Sequence, residues 1–121
     1  MDKPLIYLAS PYTRHGLAGA AKRSAETRRF EMVAKAAAFF MDQGHHIFCP
    51  IAHTHPLWQY GLQKKNGDWW LDQDFAILKH CNQLWVYMLE GWKESYGVQA
   101  EMQYAREQGM PIYYIEPLEV E

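Results

Sequence analysis

The chain has 121 residues, 49% of them hydrophobic and 15% aromatic, and a formal net charge of −2. That length suits one domain with one continuous core, expected to span residues 1–121, and the apolar content excludes a disordered chain. A net negative charge offers no basic face for a nucleic-acid polymer, and two cysteines, Cys49 and Cys81, are too few for a disulfide scaffold.

Met1-Asp2-Lys3-Pro4 leads into the five-residue apolar run Leu5-Ile6-Tyr7-Leu8-Ala9, too short for the core of a signal peptide. No segment reaches the ~20 apolar residues of a membrane span. The expectation is therefore a soluble, cytoplasmic protein with no nucleic-acid or membrane partner. The run itself lacks alternation and ends at Ser10-Pro11, as a strand covered on both faces does. Tyr12 to Arg23 reads as a loop or frayed helix start. From Ser24 to Gln43, Phe30, Val33, Ala34, Ala37, Phe40 and Met41 recur at helical spacing. Ser24 is the expected N-cap, and Gly44 sits where a left-handed C-cap residue is favoured.

His46-Ile47-Phe48-Cys49 gives a second strand, stopped by Pro50. A long loop is expected from Ile51 to about Gly67, carrying His53, His55, Trp58 and Tyr60. A helix is expected from Asp68, as N-cap, to about His80. Leu84–Leu89 is the third strand and Glu90–Glu94 a loop. Ser95 caps a further helix that Gly109 and Pro111 stop, and Ile112–Ile115 is the last strand. Strands alternating with helices predict a three-layer α/β/α domain on a parallel, flavodoxin-like (Rossmann-like) sheet of 4–5 strands, in the order 2-1-3-4. In that topology the loops after the first and third strands meet at a switch point, bringing Ser10–Thr13 beside Glu90–Glu101.

Four groups of residues near that crevice invite chemistry. Glu101 lies about six residues into its helix, on a polar stripe with Ser95, Gly97, Tyr104 and Gln108; such a stripe is ordinarily a solvated face. Gly97 would let a ligand approach the backbone, and Tyr7 can point into the same crevice. Asp72 and Asp74 are two apart, so at most one turns inward. Two carboxylates across a sugar are what glycosidic bond cleavage needs. His53-Thr54-His55 can place two imidazoles on a metal, yet no third ligand follows in the sequence. Trp58, Trp69, Trp70 and Trp92 are core or dimer packing, or surfaces on which a nucleobase stacks.

Three ordered blocks then resemble one family. Ile6-Tyr7-Leu8-Ala9-Ser10-Pro11-Tyr12 resembles the N-terminal strand and turn of the nucleoside 2-deoxyribosyltransferases. Ser95-Tyr96-Gly97-Val98-Gln99-Ala100-Glu101, with Tyr104-Ala105, resembles their nucleophile helix. Trp70 to Leu78, with Cys81-Asn82, resembles their middle segment. The likeness extends over nearly the whole chain and points to a bacterial and phage domain-of-unknown-function branch of that superfamily.

The resemblance implies an enzyme acting at the N-glycosidic bond of a nucleoside or nucleotide, with no cofactor and no metal. Glu101 would be the nucleophile, Tyr7 would orient it, and Asp74 would assist the leaving base. Ser10, Pro11, Tyr12, Ser95, Gly97 and Trp92 would line the substrate site, and Arg14 would meet a phosphate. It also implies a homo-oligomer in which a neighbour completes the pocket. The chain departs from the pattern at Asn82, where the family has an aspartate, at the Gly91-Trp92-Lys93-Glu94 insert, and at His53 and His55. These departures motivate the alternative of a non-catalytic nucleotide-binding or sensing module on the same fold.

Overall fold

Four short apolar runs pair side by side into one parallel sheet. In the computed structural model, which describes residues 3–118, the chain order is β1 (Leu5–Ala9), α1 (Gly19–Asp42), β2 (His46–Phe48), α2 (Pro50–Trp58), α3 (Gly67–Leu78), β3 (Gln83–Tyr87), a 3-10 turn (Trp92–Glu94), α4 (Tyr96–Glu107) and β4 (Ile112–Ile115). The sheet order is β2-β1-β3-β4, all parallel, with Tyr7 beside Phe48 on one side and Leu84 on the other. The three-layer α/β/α architecture and the strand order agree with the sequence-based expectation. No helix among the described residues is long and apolar enough to cross a membrane.

Strand pleating divides the core in two. Tyr7, Ala9, Leu84 and Val86 face α3 and α4, packing on Leu78, Val98, Met102 and Ala105. Leu8 and Tyr87 face α1 and α2, against Val33, Ala36, Ala37, Phe40 and Ile51. Both faces are covered, so the strands carry apolar residues at consecutive positions instead of alternating ones.

β3 runs Gln83–Tyr87 in place of the expected Leu84–Leu89, and three larger differences from the sequence reading bear on the site. α1 begins at Gly19, not at Ser24; its N-cap is the extended Ala18, which supplies no side-chain cap. Ala20, Ala21, Lys22 and Arg23 are strong helix formers and extend the helix backwards past its apolar face. The segment expected as a loop after Ile51 begins with α2. Pro50 takes the first helical turn, where its missing N–H costs nothing, and Thr54 Oγ1 donates to Pro50 O at 2.9 Å. The N-cap of α3 is Asn66, whose side chain accepts from Trp69 N at 2.9 Å; Asp68 sits inside the first turn. Asn66→Ala is expected to cost about 1 kcal/mol, read as a lower urea midpoint at unchanged slope.

Two fastenings set the ends of the sheet. Asn82 Oδ1 accepts from Leu5 N at 2.7 Å while Asn82 N donates to Leu5 O at 2.8 Å. Asn82 therefore ties the amino ends of β1 and β3, the end of the sheet opposite the crevice. At the other end Arg29 donates to Thr13 O at 3.0 Å and to Glu90 O at 2.7 Å, joining the loops that follow β1 and β3. Gly91 makes room for it: its φ is +91°, and a Cβ there would lie 2.7 Å from Arg29 Nη2.

Candidate active site

α4 sets the position of the central carboxylate. Ser95 caps it, accepting from Val98 N at 3.2 Å. Val98, Met102 and Ala105 then bury against the sheet, the two larger side chains contributing about 1.5–3 kcal/mol each. Glu101 stands at the intervening position of the same i, i+3, i+4, i+7 series and is carried inward with them, to 4% exposure. The solvated stripe expected for Glu101 is thus corrected: of that stripe, Glu101 is buried and Tyr104 stacks on Phe75 at 5.3 Å.

Tyr7, fully buried on β1, donates its hydroxyl to Glu101 Oε2. Burial, then the charges of Glu101 and Asp74, hold the Tyr7 hydroxyl well above its ordinary pKa, so it remains a donor. Asp74, on α3, is raised to about 7 by burial. Glu101 is raised to about 8, first by burial and then by the charge of Asp74, with the Tyr7 hydrogen bond opposing. Asp72, by contrast, is exposed, so only one carboxylate of that pair turns inward. Near neutral pH the Glu101–Asp74 pair therefore keeps between one and two protons, with the larger share on Glu101.

A cavity of about 520 Å³ lies at the carboxyl ends of β1 and β3. Ser10, Tyr12 and Thr13 line it from the loop after β1, and Ser95, Tyr96 and Gly97 from the start of α4. Thr54, His55 and Trp58 enter from α2, and Trp70 and Leu71 from α3. Tyr7, Glu101 and Asp74 are not in the wall. Each is a near neighbour along the chain of a residue that is: Gly97 is one turn before Glu101, Leu71 one turn before Asp74, and Ser10 three residues after Tyr7. Gly97 borders open space in that wall, since a Cβ placed there would meet nothing within 4 Å.

Of the binding residues expected from sequence, Ser10, Tyr12, Ser95 and Gly97 are in the wall. Three are elsewhere. Pro11 is fully buried and absent from the wall. Arg14 lines an adjoining, shallower cavity of about 310 Å³ with Arg29, Glu90 and Glu94, which shares Thr13, His15 and Ser95 with the first. Trp92 is turned away by the left-handed Gly91 and lies 5.6 Å from Tyr114 of β4. The tryptophans divide accordingly: Trp58 and Trp70 face the cavity, while Trp69 packs edge-on against Trp70 at 4.9 Å.

His53 and His55 diverge because α2 is helical, which rotates residues two apart by about 200°. His53 lies near Phe48, whereas His55 stacks on Phe30 at 4.2 Å and its Nδ1 is 2.6 Å from Tyr12 Oη. Burial lowers the His55 pKa and pushes Tyr12 up to about 12, which favours a neutral tyrosine–imidazole pair. No group of three or more His, Cys, Asp or Glu placed to hold a metal occurs among the described residues. The wall residues that sequence reading missed include Lys22, Arg23, Glu26, Lys65 and Tyr96. Their signal was the i, i+1, i+4 spacing of Lys22, Arg23 and Glu26, which is legible only once α1 is extended to Gly19.

The model of the family described as a domain of unknown function (DUF1937) matches residues 4–116 of the chain. No curated protein matches it.

Proposed function

We propose, on the premise that the chain belongs to the DUF1937 family, that it cleaves or transfers at the N-glycosidic bond of a nucleoside or 5′-nucleotide through a covalent intermediate on Glu101. The observation that carries this reading is a buried carboxylate held by a tyrosine hydroxyl and within the field of a second carboxyl, on the helix whose first turn lines a cavity with aromatic walls.

Tyr7 occupies Oε2 of Glu101, leaving Oε1 to attack the anomeric carbon. As that bond forms, the C–N bond breaks and its electron pair goes to the departing base, which takes the Asp74 proton. A second base or water then attacks the same carbon. Asp74 takes up the proton released by the incoming group, and the Glu101 ester breaks to restore the carboxylate. This sequence of steps requires Glu101 ionised and Asp74 protonated; burial holds both carboxyls partly protonated near neutral pH, Glu101 the more so, so the reacting state is the less populated placement of the proton. Tyr7 favours the ionised form at Glu101.

Gly97 provides a direct check of the route from cavity to carboxylate. Gly97→Ala adds a methyl where nothing clashes and replaces glycine in a helix, so stability is expected to rise by about 0.5 kcal/mol. The same methyl projects from the cavity wall one turn before Glu101, so kcat/KM is expected to fall about tenfold if substrate reaches Glu101 past Gly97. Thermal melting and steady-state kinetics on the one variant read both.

A second reading, a nucleotide-binding or sensing module without turnover, is favoured by the 4% exposure of Glu101 and by the absence of the trio from the cavity wall. Incubation with a panel of nucleosides and 5′-nucleotides, followed by chromatography of the products, separates the two. Free base or exchanged base supports the enzyme, and tight binding of an intact nucleotide with no product supports the module. We place the chemistry in the cytoplasm, which suits the two free thiols Cys49 and Cys81, and in a homo-oligomer, for which exposed Leu57, Tyr60 and Tyr96 offer apolar area near the cavity.

A further inference from the structure

The cavity has an electrostatic asymmetry that the glycosidic chemistry leaves unused. Lys22, Arg23 and Lys65 bring three cations into its wall against one carboxylate, Glu26, in a chain whose net charge is −2. Glu26 itself already accepts the Arg14 backbone N–H at 3.1 Å. Lys22 and Arg23 stand at the start of α1, whose first residue, Gly19, also lines the cavity. That 24-residue helix has no side-chain cap at Ala18 and no acidic residue in its first turn, so its positive end meets the cavity uncompensated.

A second, independent feature points to a ligand at the same wall. Ser10 Oγ is buried, with its residue 6% exposed, and has no hydrogen-bond partner among the described residues, yet Ser10 lines the cavity. A buried hydroxyl without a partner costs about 1–3 kcal/mol, a cost a ligand acceptor would remove.

We infer that the α1 end of the cavity is a phosphate subsite, and that the site takes a nucleoside 5′-monophosphate in preference to the free nucleoside. A phosphomonoester supplies what this wall lacks: two negative charges opposite Lys22 and Arg23, oxygen acceptors for the α1 backbone N–H groups, and an acceptor for Ser10 Oγ. Trp58 and Trp70 lie in the same wall, where a base at the other end of the molecule can stack on them. A cavity of about 520 Å³ in an acidic chain has room for a mononucleotide and gives no continuous basic face for a polymer.

This inference rests on the nucleoside reading of the cavity but not on turnover, and binding tests it. Calorimetric titration of the full chain with matched nucleosides and their 5′-monophosphates is expected to show the monophosphate binding about 30-fold more tightly or better. In a Lys22→Ala, Arg23→Ala variant, which keeps strong helix formers in α1, the advantage is expected to shrink to about fivefold or less while nucleoside affinity holds. Equal affinities in the natural chain, or an advantage unchanged in the variant, would overturn the subsite. A monophosphate bound tightly but never cleaved overturns the glycosidic reading and leaves the subsite standing. Turnover with no preference for the phosphate does the reverse.

Discussion

Glu101→Gln is expected to reduce glycosyl transfer or hydrolysis by about 10³-fold or more, with substrate binding within a few-fold of the natural chain. Gln keeps the shape and an acceptor for the Tyr7 hydroxyl, so the loss reports the missing nucleophilic oxygen and not a disordered α4. Two companions separate the roles. Asp74→Asn removes the proton donor and is expected to spare substrates whose base leaves without protonation while slowing the rest about 10²-fold. Tyr7→Phe removes the one influence that holds the Glu101 pKa down, so the acid limb of the pH–rate profile moves to higher pH. A mere packing role for Tyr7 would lower stability without moving that limb. Were Glu101→Gln to retain full activity, Glu101 would not be the nucleophile.

Glu101→Gln is also expected to stabilise the fold at alkaline pH, by about 3 kcal/mol at pH 8.5. Burial raises the folded-state pKa of both Glu101 and Asp74, so the folded chain binds more protons than the unfolded one between about pH 4.5 and pH 8. Stability of the natural chain therefore falls as pH rises through that window, because folding must then keep one charge, and finally two, in a buried place. The sign is opposite to that of a carboxylate in an ion pair, which loses stability as pH falls. Glu101→Gln removes the larger part of this slope, and for a domain of this size the gain corresponds to a rise in Tm of roughly 10 °C at pH 8.5, shrinking toward zero near pH 4.5. A variant that melts no higher than the natural chain at pH 8.5 would show that Glu101 is not held against its charge. A carboxylate kept at such a cost, where Gln would fold better, is the pattern of a functional site in place of a structural one.

The fold was legible because its strands are local signals. Leu5–Ala9 and Ile112–Ile115 are short apolar runs bounded by turns, and the βαβ alternation leaves few topologies. The carboxylate was legible in identity but not in surroundings. Helical spacing places Glu101 equally well beside Gly97 and Tyr104 or between Val98 and Met102, and the packing of the larger apolar side chains decides it. α2 was hidden by Pro50 and Pro56, whose effect depends on their place in the helix. The early start of α1 was hidden because Ala20 to Arg23 carry propensity but no apolar face, and Lys22 and Arg23 went unread with it. Trp92 shows the converse. Its distance along the chain from Ser95 suits a site residue, yet one left-handed glycine sends its ring toward Tyr114.

The most direct measurement is to trap the intermediate. A nucleoside and its 5′-monophosphate, each with fluorine at the 2′ carbon to slow release of the sugar, would be incubated with the full chain and followed by intact-mass spectrometry and peptide mapping. The expected result is one fluorosugar ester on Glu101, absent in Glu101→Gln and lost when a nucleobase acceptor is added. Turnover of the unmodified substrate with no adduct formed, or an adduct carried on Asp74 instead, would contradict it.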